Sequence, residues 1–297
     1  MTLPSTEQLH IDAAQLDRSD LANSARALAA GQIAAAKAVE RAAPAIARGA
    51  AAMAATLRTG GVLHYVAAGS SGLMAAADAQ ELGGTFSILP SHLRIHMAGG
   101  LPTGVEMPGD TEDSDVGLAE ALSDLKPTDT VIAVSASGST PYTLTAGDIA
   151  RAKKATLIGI ANNADSPLLQ TADIPILLAT PPELISGSTR MGAGTAQKIA
   201  LNMLSSLMAL DLGHVHGGMM VNLRADNHKL RARAAGIVAR IAKVDTDAAQ
   251  AALAQTNGDV KPAILIAALG VSKGDAVARL EEADGILSTA LNMNNNC

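Results

Sequence analysis

Apolar residues follow two patterns along the chain: short runs rich in Val, Ile and Leu, and longer Ala-rich stretches with helical spacing. The stretch Val62 to Glu81 (VLHYVAAGSSGLMAAADAQE) joins them: an apolar run, the turn Ala68-Gly69-Ser70-Ser71-Gly72, then helix-forming residues. Strand, glycine turn and helix in that order bring backbone N–H groups and the positive end of a helix dipole to one spot. Glycine lets the backbone approach an anion, and serine hydroxyls add donors. The stretch predicts a phosphate cradle at Ser70 and Ser71, with an ordinary Ser/Gly loop as the alternative. It lacks the G-x-G-x-x-G spacing of a dinucleotide fingerprint, and no Gly-Lys-Ser/Thr follows.

The pattern repeats about seventy residues later. Thr130 to Ser135 (TVIAVS) predicts a strand, Ala136-Ser137-Gly138-Ser139-Thr140 a turn, and Pro141 the first position of a helix. Two such units predict adjacent parallel strands whose C-terminal ends share one ligand, held by Ser70, Ser71, Ser135, Ser137, Ser139 and Thr140. Neither turn contains lysine, which suits a sugar phosphate better than a nucleoside triphosphate. A third Ser/Gly stretch, Ser186-Gly187-Ser188-Thr189-Arg190, precedes a long helix with a predicted buried face at Ile199, Met203, Leu204, Leu207 and Leu210. Its hydroxyls either cap that helix or touch an anion.

The remaining segments fall between these units. Residues 1–20 are polar and predicted irregular, with Ser19 or Asp20 as N-cap of a helix from Leu21 to Leu57, broken near Pro44. Gly83-Gly84 is expected to stop the first cradle's helix. Leu93 to Met97 predicts a strand, 101–117 an acidic surface loop and 115–124 a helix. Pro141 to Lys154 predicts a helix, and Ala155 to Ala161 and Ile174 to Ala179 predict strands. Asp226 is the expected N-cap of a helix to about Lys243, and Thr246 and Ser272 precede further helical runs, with no strand in the last seventy residues. This order predicts an α/β core flanked by helical segments.

Composition narrows the class. The 297 residues are 48% hydrophobic but hold two Tyr, one Phe and no Trp, so the core must be built from aliphatic side chains. A net charge of −6 without a basic block or stacking aromatics argues against nucleic acid. The single cysteine, Cys297, permits no internal disulfide, which fits a reducing compartment. No signal-like N-terminus is visible, and Lys37, Glu40, Arg41 and Arg48 interrupt the Ala-rich stretch 24–57, so a soluble cytoplasmic protein off the membrane is expected. His214 and His216 lack neighbouring acids and suit a loop or helix-end role better than a metal. His64 reads as a core or lining residue, Asp78 as a helix or supporting partner, and Lys261 as a solvated charge on a tail helix.

Taken together, Gly69-Ser70-Ser71-Gly72, Ser135 through Tyr142, and Gly187 through Lys198 resemble a sugar isomerase (SIS) domain. More narrowly, the chain resembles the N-acetylmuramic acid 6-phosphate etherase family. The similarity also takes in Asp78-Ala79-Gln80-Glu81, Glu112-Asp113-Ser114, Asn202-Met203-Leu204, Asn227-His228-Lys229-Leu230 and Val260-Lys261-Pro262-Ala263, in order over nearly the whole chain. The resemblance implies an SIS-type three-layer sandwich with a five-stranded parallel sheet, preceded by N-terminal helices and followed by a small helical, UBA-like domain. Expected boundaries are 1–59, 60–225 and 226–297. It implies a homodimer, a sugar-phosphate ligand, no metal or organic cofactor, and a role in cell-wall amino-sugar recycling. The implied reaction cleaves the D-lactyl ether at carbon 3, with Glu81 and Glu112 catalytic. Ser188, Arg190 and Lys198 join the two turns as expected ligand contacts.

Elimination beside an aldehyde needs a base for the carbon 2 proton and an acid for the departing ether oxygen. A glutamate with its ordinary pKa of about 4.3 is ionised at neutral pH, so one of the pair is expected to be buried. The apolar run before Glu81 predicts it as the buried acid, and Glu112, among Asp110, Asp113 and Asp115, as the base. Ten residues of helix beyond Ser71 place Glu81 roughly 15 Å along the axis, so either the helix bends or ends early, or another subunit completes the site. The shared site is the expectation, since it also fits the dimer that the resemblance implies. Leu73, Ser139 and Gly192 stand where the family usually carries cations, and Leu9-His10 replaces Arg-Asn. Arg190, Lys198 and Lys229 remain. Fewer cations leave open an SIS-type isomerase or a non-catalytic sugar-phosphate regulator with a less anionic ligand.

Overall fold

The structure, a computed structural model, describes residues 3–107 and 111–293. Asp110 and Cys297 lie outside the described residues. The chain divides into two compact units: the residues up to Gln80 with Ser91–Ser206, and Glu81–Pro90 with the residues from Leu207 onward.

The first unit opens with α1 (Leu21–Ala38) and α2 (Ala43–Arg58), joined by a 3-10 turn, Val39–Ala42. Asp20 caps α1, its Oδ1 accepting from Asn23 N at 2.9 Å. Pro44 stands in the first turn of α2, where its missing N–H costs nothing. Then follow β1 (Leu63–Ala67), α3 (Gly69–Phe86), β2 (Leu93–Met97), the single turn α4 (Leu118–Ala121), β3 (Thr130–Ser135), α5 (Pro141–Lys153), β4 (Thr156–Ala161), α6 (Pro167–Thr171), β5 (Ile174–Leu177) and α7 (Gly192–Asp211).

The strands form one sheet in the order β2-β1-β3-β4-β5, every pairing parallel. Of the three interior strands, β1 and β3 are buried throughout, as a parallel sheet covered on its two faces requires. Asp129 aligns the start of this sheet, accepting from Val62 N at 2.9 Å and Lys126 N at 2.8 Å. A Cβ added at Gly49 of α2 would strike Leu204 of α7, so the two helices approach closely there. His64 of β1 is buried and stacks on His96 of β2 with ring centroids 5.3 Å apart and Nδ1 3.1 Å from Nε2. Burial lowers the pKa of both rings, that of His96 to about 4.

Several elements depart from the expected pattern. Helix α3 runs through Gly83-Gly84 to Phe86 and ends at Ser87, which adopts φ 55°. Residues 222–224 take up its last carbonyls: Arg224 N donates to Gly84 O and Asn222 Nδ2 to Phe86 O. The predicted 115–124 helix shortens to α4. Of the five positions expected on the buried face of α7, only Leu204 is buried. Ala193, Ala196, Ala200, Leu201 and Met208 form that face, and Leu210 is exposed.

The second unit contains a two-stranded hairpin, β6 (Val215–His216) and β7 (Met219–Met220), which the hydrophobic pattern did not announce. Gly217 and Gly218 form its turn, both at positive φ, as a type I′ turn requires. Helices α8 (His228–Ala242), α9 (Thr246–Gln255), α10 (Val260–Leu269), α11 (Lys273–Glu282) and α12 (Leu287–Asn292) follow. They share an aliphatic core that includes Ile237, Val238, Ile264, Leu265 and Leu287. Asn227, not Asp226, caps α8, and Asp245 caps α9. Lys261 is buried rather than solvated: Nζ donates to Gly285 O at 2.8 Å, and burial lowers its pKa to about 8. Among the described residues, no helix is long and apolar enough to cross a membrane.

Candidate active site

The second Ser/Gly turn is the more completely built. Ser135 ends β3 and is buried, and its Oγ lies 2.7 Å from Thr140 Oγ1 and 3.3 Å from Ser137 Oγ. Gly138 N donates to Ser135 Oγ at 3.0 Å, and Ser139 Oγ donates to Ser137 Oγ at 3.0 Å. The four predicted hydroxyls therefore form one connected cluster at the start of α5. Behind them, three consecutive carbonyls are tied to the β4–α6 turn. Asn162 N donates to Ala136 O at 3.0 Å, Asn163 Nδ2 to Ser137 O at 3.2 Å, and Leu168 N to Gly138 O at 3.0 Å. In a trans peptide the N–H points opposite its carbonyl, and two of these N–H groups meet hydroxyls of the turn itself: Gly138 N donates to Ser135 Oγ and Ser139 N to Ser137 Oγ. Gly138 sits at φ 67°, and a Cβ there would collide with Ser166 and Ala161.

The first turn opens α3 directly after β1. Gly69 has φ 53°, and the first intrahelical bond runs from Gly72 N to Ala68 O at 2.9 Å. The N–H groups ahead of Gly72 have no intrahelical acceptor. Ser71 is buried and Ser70 half-buried. Since β1 and β3 are neighbours with Ala67 opposite Val134, the two turns emerge side by side at one sheet edge. The Glu112 carboxylate lies against this first turn, where a Cβ added at Gly69 would collide with Oε1. A cavity of about 340 Å³ follows, lined by Met97, Gly100, Thr111, Ser114 and Tyr142.

The third Ser/Gly stretch is different. The N-terminus of α7 is already occupied by a carboxylate of the chain itself. Glu183, 6% exposed, accepts from Gly192 N at 2.9 Å and Ala193 N at 2.8 Å. Ser186, Ser188 and Thr189 do not cap the helix, contrary to one expectation. A side chain at Gly192 would press on Glu183 and Ala35, a packing reason for glycine there.

The structure thus gathers Ser70, Ser71, Ser135, Ser137, Ser139, Thr140 and Glu112 at one sheet edge. Ser188 is half-buried, and Arg190 and Lys198 are exposed. Among the described residues, no hydrogen bond joins these three to either turn. Glu81 is exposed, which corrects the expectation that it is buried. The apolar run before it covers a different face of α3, where Ala75, Ala76, Ala79 and Leu82 are buried, while Leu73, Ala77 and Glu81 share the exposed one. The helix is unbroken across Glu81, so the early-ending alternative falls away. Asp78 is a supporting partner as expected: it accepts from Tyr65 Oη at 3.2 Å, Asn202 Nδ2 at 2.8 Å and Ser205 Oγ at 2.9 Å. Burial and the adjacent carboxylate hold the Tyr65 phenol well above its usual pKa.

Glu183 and Asn163 were not singled out from sequence. For Asn163 a signal existed, because the strand, polar turn and proline-led helix seen at β3 and Pro141 recur across β4, Asn162–Ser166 and Pro167. Among the described residues, no group of three or more His, Cys, Asp or Glu side chains is arranged to hold a metal ion.

Comparison with known proteins agrees with this architecture. Residues 29–162 match the family described as the SIS domain. A solved protein of Listeria monocytogenes, described as a candidate sugar-phosphate isomerase, shares the fold, with a TM-score of 0.51 at 16% identity over 66% of this chain and 92% of its own. An N-acetylmuramic acid 6-phosphate etherase of Deinococcus radiodurans is 45% identical, covering 94% of this chain and 92% of the relative. One from Streptomyces avermitilis is 40% identical, covering 97% and 93%. With such likeness running through both units, the chain belongs to the N-acetylmuramic acid 6-phosphate etherase family.

Proposed function

We propose that the chain is a carbon–oxygen lyase that cleaves the D-lactyl ether of N-acetylmuramic acid 6-phosphate, yielding N-acetylglucosamine 6-phosphate and D-lactate. The observation that carries this reading is 45% identity to an etherase over nearly the full length. The paired turns, with a carboxylate against the first, support it.

In this reading the phosphate rests on the hydroxyls and N–H groups of the two turns, so charge is met by backbone dipoles rather than lysine. Glu112 takes the proton from carbon 2 of the open-chain sugar. The electron pair forms the carbon 2–carbon 3 double bond as the carbon 3–oxygen bond breaks, and Glu81 protonates the departing lactate oxygen. Water then adds at carbon 3 and a proton returns to carbon 2, with the pair in reversed roles. Glu81 is exposed on the chain alone, and an acid of this kind needs water excluded around it. A homodimer with a shared site, formed over the α3 face of Leu73, Ala77 and Glu81, meets that need. Ser188, Arg190 and Lys198 are assigned to the substrate's remaining polar groups. Work in the cytoplasm on recycled cell-wall amino sugar belongs to the same reading. An isomerase or a sugar-phosphate regulator is not favoured, because the likeness to the Listeria protein, at 16% identity, extends to fold alone.

The test is D-lactate release from N-acetylmuramic acid 6-phosphate by the purified protein. We expect release by the wild type and a loss of roughly 10²- to 10⁴-fold in Glu81→Gln and Glu112→Gln. No release by the wild type, with the substrate bound, would sink the lyase reading.

A further inference from the structure

The carbonyls behind the second turn are held by two backbone donors and one side chain, and the side chain is itself held by a distant part of the chain. Asn163 Nδ2 donates both to Ser137 O at 3.2 Å and to Thr6 Oγ1 at 3.1 Å, and Asn163 Oδ1 accepts from Ser5 Oγ at 2.8 Å. Both amide hydrogens and the amide oxygen are engaged, so the group has one orientation. Thr6 is 4% exposed, within a 3-10 turn, Ser5–Glu7. Ser186 Oγ reaches Glu7 O and Gln8 O at 3.4 Å. A cavity of about 500 Å³ opens beside the turn, lined by Pro4, Ser5, Ser137, Ser139 and Asn163 among others.

The peptide between Ser137 and Gly138 carries the carbonyl that Asn163 binds and the N–H that Gly138 presents to Ser135. Freed of Asn163, this peptide can rotate about its flanking dihedrals and turn its carbonyl toward the mouth, which places a negative end where an anion must sit. We propose that Asn163, oriented by Ser5 and Thr6, is a positioning residue for the phosphate cradle, so that the N-terminal segment sets the site's affinity for a phosphorylated sugar. This rests on the sugar-phosphate reading above. It concerns binding, not proton transfer, so the effect falls on KM and not on kcat.

The experiment compares wild type with Asn163→Ala, Thr6→Val and Thr6→Ser. The readouts are inorganic phosphate affinity by calorimetry, KM and kcat for N-acetylmuramic acid 6-phosphate, and the thermal midpoint. One lost hydrogen bond of this kind corresponds to about tenfold, so Asn163→Ala should weaken phosphate binding and raise KM by about that factor. Thr6→Val should do so by about threefold, with kcat nearly unchanged, and Thr6→Ser should restore the wild-type value by keeping the acceptor hydroxyl. A merely structural role would lower the thermal midpoint and leave phosphate affinity and KM in place, and that result overturns the proposal. Loss of kcat with KM unchanged overturns it too. If Asn163→Ala does not fold, the Thr6 pair decides. Phosphate binding by the wild type without lactate release would refute the etherase reading alone, and phosphate affinity would still decide the role of Asn163. A wild type that neither binds phosphate nor releases lactate overturns both.

Discussion

The N-termini of α5 and α7 look alike in sequence, each announced by a Ser/Gly stretch, yet they are finished in opposite ways. At α5 the carbonyls of Ala136, Ser137 and Gly138 are drawn back by the β4–α6 segment, and the hydroxyls of Ser135, Ser137, Ser139 and Thr140 are linked in one cluster. At α7 the buried carboxylate of Glu183 already fills the position an anion would take. In the proposed reading the first end is left to a ligand, whereas the second is consumed by the fold. What separates them is one acidic side chain nine residues upstream, not the Ser/Gly composition.

Gly138→Ala should break the open end most severely. Its φ of 67° strains any residue with a Cβ, and that atom would meet Ser166 and Ala161, so a loss of about 3 kcal/mol is expected in denaturant unfolding together with loss of phosphate binding. Glu183→Ala attacks the closed end and leaves two buried N–H groups without acceptors. A loss of about 2 kcal/mol is expected, with phosphate affinity at the α5 turn kept in the folded protein. An equal loss of phosphate binding in both variants would erase the distinction. The smallest effect lies in the sheet, at His64 and His96, faced by Asp129, Asp124 and Arg94. Both rings are held neutral by burial, and His96 titrates at about 4 instead of 6.5. The unfolded chain takes up the proton first, so stability is full above about pH 6.5 and declines as pH falls from there toward 4. Thermal midpoints across that range should show the decline, and His96→Gln should flatten it.

The alternation of strand and helix was legible because each buried strand carries a run of aliphatic residues, and each following turn carries the glycine or proline its backbone demands. The strand, turn and helix from Thr130 through Pro141 could be placed for that reason. What could not be read depends on distant partners. Gly83-Gly84 resembles a stop signal, but residues 222–224 sustain the helix there. The exposure of Glu81 follows from which side of α3 its apolar neighbours cover, a matter of phase that the length of the run conceals. Glu183 could not be recognised as a cap, since its partners Gly192 and Ala193 lie beyond a turn of irregular backbone. Lys261 reads as a surface charge because nothing nearby in sequence reveals that Gly285 supplies its acceptor.

Strand β5 closes one side of the sheet. Leu178 N bonds inward to Ala161 O at 2.8 Å, so by alternation the amides of Ile174 and Ile176 also face β4, and Pro175 faces out. Proline offers no N–H there, and the outward rim of a short strand is left without a donor at its middle. A further strand pairing there would leave a ladder bond unmade at Pro175, which disfavours open-ended stacking into fibres.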